Sequence, residues 1–95
     1  MRFEWDAVKD KINIKKHGLA FFNVISIFMD PNIITVYDDE HSAMDEDRWI
    51  SIGRTDHGVV CLVCHTYNLS DDFQTVRIIS ARKADKDEEK QYYSL

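Results

Sequence analysis

Apolar and polar positions alternate with helical spacing near the start of the chain. Val8 and Ile12 are four residues apart and share one helical side, while the lysines around them lie mostly off it. Asp6 can accept backbone hydrogen bonds at the start of such a helix, and Gly18 can end it in the left-handed conformation. The preceding Phe3-Glu4-Trp5 predicts only a short extended lead-in.

The next apolar segment predicts a second helix over residues 19–29. Phe21, Val24, Ile25 and Phe28 follow the spacing of three and four residues that marks one buried helical side. Asp30-Pro31 ends this helix, because proline disfavours helical backbone in the residue before it.

Four strand-like segments follow, and together they predict the fold class. They span 33–37, 48–54, 59–67 and 74–82, and the turn sequence Asp56-His57-Gly58 joins the second to the third as a hairpin. The stretch 68–73 is a predicted polar loop, and a charged helix over 83–93 closes the chain. We expect one α+β domain over 1–95, with two N-terminal helices, a four-stranded antiparallel sheet and a C-terminal helix. The helices should cover one face of the sheet and leave the other partly free.

Composition narrows the class of protein. The 95 residues are 44% hydrophobic with a formal net charge of −5, which suits a folded domain and opposes general phosphate binding. No segment has the pattern of a signal peptide or a membrane span, so we expect a cytoplasmic protein without membrane contact. Cys61 and Cys64 should point to opposite faces of a strand as free thiols. No motif predicts a metal site or another cofactor.

Arginines are the first candidates for functional residues, because a planar guanidinium donates paired hydrogen bonds to phosphate and stays charged near neutral pH. Arg48 and Glu46 point the same way on an extended chain. Arg77 and Arg82 would point to opposite faces of a regular strand. A bulge, or a turn at the strand end, would bring both to one site. The competing interpretation is a set of surface ion pairs, with Arg82 supporting the last helix.

His17 is the candidate for proton transfer. Histidine titrates near neutrality, and this one follows Lys16 at the end of the first helix. The competing interpretation is a histidine that only interacts with the negative end of the helix dipole.

Taken in order along the chain, these motifs resemble the BrnT toxin family. The resemblance covers almost the whole chain and rests on Phe3-Glu4-Trp5-Asp6, Lys16-His17-Gly18, Asp30-Pro31, Glu46-x-Arg48-Trp49 and Arg77-Ile78-Ile79-Ser80-Ala81-Arg82. The chain departs from the family pattern in the more apolar segment Phe22-Asn23-Val24 and at Glu89, where the family often has arginine. The resemblance implies a RelE-like fold and ribonuclease activity. It also implies a BrnA-like ribbon-helix-helix antitoxin, through which alone the complex would contact DNA.

The residues and the resemblance together favour metal-independent cleavage of cellular RNA, in which the 2′-hydroxyl attacks the adjacent phosphate. Arg48, Arg77 and Arg82 would stabilise the charge of the phosphorane, and Lys16, His17 or Glu46 would transfer protons. The cations expected to contact RNA are Lys15, Lys16, Arg54 and Lys83.

Two other functions stay open. The net charge of −5 and the acidic segment 38–47 favour a non-catalytic module that binds the antitoxin and modulates DNA binding by the complex. The same acidic segment, together with His41, could instead serve a small metal-dependent hydrolase.

Overall fold

The computed structural model describes residues 1–68, 70, 72 and 75–94. Its elements in chain order are β1 (Arg2–Trp5), α1 (Ala7–His17), the 3-10 helix η1 (Phe21–Met29), β2 (Ile34–Tyr37), β3 (Trp49–Arg54), β4 (Val60–Tyr67), β5 (Thr75–Lys83) and α2 (Lys86–Tyr93). The predicted strand start at Gln74 and part of the predicted loop 68–73 lie outside the described residues. No helix in the described part of the chain is both long enough and apolar enough to cross a membrane.

The sheet differs from the predicted one in strand number and direction. Five strands pair in the order β1-β5-β4-β3-β2. β1 runs parallel to β5, with Phe3 opposite Val76 and Trp5 opposite Ile78, whereas the other neighbours are antiparallel. The α+β class is observed, but the prediction of four antiparallel strands after two N-terminal helices was wrong. The four residues of β1 give too short a pattern to identify a strand, and their partner lies near the other end of the chain.

The ends of α1 follow the predicted capping. The Asp6 carboxylate accepts hydrogen bonds from the amides of Val8 and Lys9 at 2.8 and 3.1 Å. Gly18 has a φ of +66° and donates its amide to the carbonyl of Ile14. These contacts join residues two to four apart, which is why the sequence alone predicts them.

The second helix is a 3-10 helix, so the α-helical interpretation of its spacing was wrong. Its buried residues are Phe21, Val24 and Ile27, three apart, which matches the three residues per turn of a 3-10 helix. The sequence also contains the α-helical spacing through Ile25 and Phe28, but these two side chains are only partly buried. The preference for the 3-10 form therefore comes from packing against the sheet.

The core lies between η1 and one face of the sheet, named here the core face. Its buried members are Phe21, Val24, Ile27, Cys61, Val63, Val76, Ile78 and Ala81. Helix α2 lies against the opposite face, named here the outer face, where Gln91 and Tyr92 line a groove with Ile52 and Leu62. The expectation that the helices cover one face only was therefore wrong. Cys61 lies on the core face and Cys64 on the outer face, both as free thiols, as predicted.

Gly53 sets how closely η1 approaches the sheet. A Cβ atom at this position would lie 2.9 Å from Cβ of Ile27 and 3.2 Å from its carbonyl oxygen. Gly53→Ala is expected to reduce the free energy of unfolding by about 1–3 kcal/mol, because η1 must move away from β3. Urea denaturation checks this value, and an unchanged midpoint would show that the two elements tolerate a wider separation.

Candidate functional site

A bulge in β5 decides which way its arginines point. Cys64 pairs with Ser80 while the next residue of β4, His65, pairs with Ile78, so Ile79 is the extra residue. The alternation of faces reverses at this point. As a result Arg77 and Arg82 both lie on the outer face, although a regular strand would separate them.

Glu4, Arg77 and Thr66 are neighbours across the outer face, and together with Arg48 they are named here the arginine row. Thr66 pairs with Arg77, and Arg77 pairs with Glu4 of β1. The register of β3 with β4 ends with Trp49 opposite His65, and Arg48 directly precedes β3; extending that register by one residue would place Arg48 opposite Thr66. Because neighbouring strands lie about 4.8 Å apart, the Cα atoms of Arg48 and Arg77 would then be on the order of 10 Å apart. Two long guanidinium side chains at that separation can reach one phosphate.

Each arginine of the row has a carboxylate beside it. Arg48 Nε lies 2.9 Å from Glu46 Oε1, and a terminal nitrogen of Arg77 lies 3.8 Å from Glu4 Oε1. The arginine side chains are 31% and 49% exposed. Solvent-exposed ion pairs of this kind contribute little free energy. Both guanidinium groups can therefore take up a phosphate at small cost.

A cleft of about 470 Å³ adjoins the arginine row through Glu46 and Thr66. Its aromatic wall is formed by Trp49 and Tyr67, whose ring centroids lie 5.9 Å apart. Asp45, Glu46 and Asp47 also line the cleft. Trp49 and Tyr67 belong to the core-face side of the sheet, so the cleft meets the arginine row at the end of the sheet. Aromatic side chains at such a place can hold a base of single-stranded nucleic acid by stacking.

Arg82 is held in a structural contact. Its two terminal nitrogens donate to the two carboxylate oxygens of Glu88, each at 2.8 Å. This hydrogen bonding lowers the pKa of Glu88 to about 2 and raises the pKa of Arg82. Glu88 also completes the capping box of α2 with Asp85. The geometry thus matches the interpretation of Arg82 as support for the last helix, which begins at Lys86 and not at Lys83 as predicted.

The remaining predicted site residues lie on α1 and at the end of β3 and β5 that is far from Arg77. Helix α1 contacts β5 at Ala81, beyond the bulge from Arg77, and its last turn carries the exposed residues Lys15, Lys16 and His17. Arg54 pairs with Val60, and Lys83 with Cys61, at the end of the sheet opposite the arginine row. Of the predicted site residues, Glu46 and Arg48 are in direct contact, and Arg77 lies on the outer face beside Thr66. Their catalytic roles stay predictions.

Metal ligands do not cluster in the described ranges. No three His, Cys, Asp or Glu side chains there come close enough to hold a metal ion. His41 instead has its Nδ1 atom 2.9 Å from Asp38 Oδ2.

Sequence reasoning missed four residues of this site: Glu4, Trp49, Thr66 and Tyr67. Glu4 reaches the arginine row only because β1 pairs with β5, and no local pattern predicts that pairing. Trp49 could have been identified from the sequence, since it directly follows the Glu46-x-Arg48 motif.

Comparisons with known proteins address the family directly. The model of the family described as "Ribonuclease toxin, BrnT, of type II toxin-antitoxin system" matches residues 5–88. The crystal structure of the Brucella abortus ribonuclease toxin BrnT superposes with a TM-score of 0.64 at 24% identity, over 90% of this chain and 99% of that chain. At that identity the likeness shows the fold alone. A sequence comparison with curated proteins gives no significant match. Because the family model matches most of the chain, the protein belongs to the BrnT family of ribonuclease toxins, whose place in type II toxin–antitoxin systems implies an antitoxin partner.

Proposed function

We propose that this toxin cleaves RNA at the arginine row by attack of the substrate's own 2′-hydroxyl on the adjacent phosphate. The observation that carries the proposal is the bulge at Ile79, which brings Arg77 to the outer face opposite Thr66; Arg48, directly before β3, would lie on the other side of Thr66. A phosphodiester placed between the two guanidinium groups would receive hydrogen bonds from both. The adjoining aromatic cleft offers a place for a neighbouring base.

The chemical step follows from the charges in the row. Glu46, positioned by Arg48, accepts the proton of the 2′-hydroxyl, and the 2′-oxygen forms a bond to phosphorus. The phosphorane gains negative charge, which Arg48 and Arg77 stabilise because the sheet already holds them in place. The bond from phosphorus to the 5′-oxygen then breaks, and solvent water donates the proton to that oxygen. The products are a 2′,3′-cyclic phosphate and a 5′-hydroxyl, and no step requires a metal ion.

This mechanism uses fewer of the predicted groups than the sequence suggested. His17 and Lys16 transfer no proton in it, because α1 adjoins the half of β5 beyond the bulge. Arg82 stabilises α2 through Glu88 and does not contact the phosphate. Glu46 is then the proton-transfer group.

The proposed partner is a BrnA-like antitoxin with a ribbon-helix-helix domain, which neutralises the toxin and supplies the DNA contact of the complex. Membership of a type II toxin family supports this partner. A non-catalytic antitoxin-binding module is the second candidate. The net charge of −5 favours it, since RNA is a polyanion.

Cleavage of matched oligonucleotides tests the reaction. We expect the purified toxin to cleave a single-stranded RNA in the presence of EDTA and to leave a 2′,3′-cyclic phosphate, detected by mass spectrometry. The same oligonucleotide with one 2′-deoxy residue at the cleavage position should resist, because the nucleophile is missing. Cleavage of the deoxy substrate, or activity that returns only with Mg²⁺, would contradict the mechanism. A chain that binds antitoxin but cleaves no RNA would favour the second candidate.

A further inference from the structure

The apolar side of helix α1 faces away from the protein. The side that faces the protein is polar: Asn13 exchanges hydrogen bonds with the backbone of Ala81, and Asp10 accepts one from the amide of Phe21. The opposite side carries Val8 and Ile12, which are 65% and 57% exposed. A surface helix normally buries its apolar stripe, so this arrangement leaves an apolar pair without cover on the described surface.

Lysines surround this apolar pair. Within α1, every neighbour of Val8 or Ile12 at a spacing of three or four residues is either the other member of the pair or a lysine. The surface, named here the α1 patch, consists of Val8, Lys9, Lys11, Ile12, Lys15 and Lys16. All six are exposed. It is a positive surface on a chain whose net charge is −5.

We propose that the α1 patch docks an amphipathic, acidic helix of the antitoxin, an inference that rests on the antitoxin partnership of the proposed function. Carboxylates of such a helix would pair with the lysines while its apolar stripe covers Val8 and Ile12. The eleven residues of α1 extend about 16 Å, which accommodates about three turns of a partner helix. RNA would use the lysines, but its phosphates gain little from covering valine and isoleucine.

The test uses the full-length toxin and the antitoxin encoded beside its gene, with binding measured by calorimetry. The double variant Val8→Glu, Ile12→Glu is expected to raise the Kd roughly 100-fold, because it removes two buried apolar contacts and adds like charges. Ile14→Glu is the matched control, since Ile14 lies on another side of the same helix and is 44% exposed. It should leave the Kd unchanged.

RNA cleavage separates this proposal from the proposed function. The double variant should cleave RNA at the wild-type rate and should no longer be neutralised by the antitoxin. An unchanged Kd would overturn the placement of the interface, while failure of the wild-type toxin to bind the antitoxin would overturn the partner itself. Loss of cleavage with intact antitoxin binding would assign the patch to RNA and overturn the proposal.

The acidic character of the partner has its own test. Lys11→Glu should weaken antitoxin binding, and the Kd of the wild-type complex should rise with salt concentration because exposed charges are screened. A Kd that responds to neither change would overturn an acidic partner helix.

Discussion

Replacing Arg77 with alanine is expected to slow RNA cleavage by about 10²–10³-fold, equivalent to roughly 3–4 kcal/mol of transition-state stabilisation. Arg48→Ala should have an effect of similar size. Arg77 lies on the outer face of the sheet and Arg48 directly precedes β3, so in the proposed mechanism each would stabilise charge on the phosphorane without reorganisation. Neither side chain belongs to the core, and the ion pair of Arg77 with Glu4 spans 3.8 Å at the surface. The fold should therefore survive both changes.

Matched variants distinguish a specific contact of Arg77 with phosphate from a general effect of positive charge on RNA binding. Arg77→Lys keeps the positive charge but loses the planar fork, so its rate should fall between those of wild type and Arg77→Ala. Lys90→Ala removes one exposed cation from α2 and should cleave RNA at the wild-type rate. Single-turnover cleavage rates and thermal unfolding of each variant give the comparison. Equal rates for wild type, Arg48→Ala and Arg77→Ala would rule out the arginine row as the site.

Lowering the pH from 7 to 4 is expected to remove about 3 kcal/mol from the free energy of unfolding through His65 alone. This side chain is fully buried, with its Nε2 atom 2.7 Å from Ser51 Oγ, and that oxygen is 2.7 Å from Thr35 Oγ1. Burial lowers the pKa of His65 from 6.5 to about 4. The Nδ1 atom is buried and has no hydrogen-bond partner among the described residues.

The sign of this pH dependence follows from which state, folded or unfolded, binds more protons. Between pH 6.5 and about 4 the unfolded chain protonates this histidine while the folded protein keeps it neutral, so acid favours unfolding. Below about pH 4 both states are protonated and the loss levels off. The contribution of Glu88, whose pKa falls from 4.5 to about 2 mainly through its hydrogen bond with Arg82, is lost at lower pH, as the pH falls from 4.5 towards 2.

Chemical denaturation at pH steps between 7 and 4.5 measures this slope. His65→Gln keeps a hydrogen-bonding group for Ser51 but cannot titrate, so its unfolding free energy should depend much less on pH across the window. His57→Gln, in an exposed turn, should retain the wild-type slope. A slope that persists in His65→Gln would assign the acid sensitivity to other groups.

Several elements were predictable because their causes are local. Asp6 and Gly18 bound α1, and the turn at Gly58, with a φ of +83°, joins β3 to β4. Capping and turn preferences act between residues a few positions apart, so the sequence shows them directly. The association of Glu46 with Arg48 is of the same kind, since the two residues are neighbours on one extended segment.

Other features depend on contacts between distant segments. The identity of η1 as a 3-10 helix depends on the sheet against which it packs, and β1 is a strand only because β5 provides the pairing. The outward side of α1 could not be inferred from spacing, because polar contacts of Asn13 with β5 overrode the apolar pattern.

The sequence of Arg77-Ile78-Ile79-Ser80-Ala81-Arg82 predicted a strand with two arginines but did not determine on which face of the sheet each arginine lies. A bulge is a mismatch in length between two paired strands, so β5 cannot reveal it without the register of β4. Residue chemistry along the chain thus settled which groups could bind a phosphate. Long-range pairing of β5 with β4 settled that Arg77 lies on the outer face, the same face as Arg82, because the bulge depends on two segments that are apart in sequence.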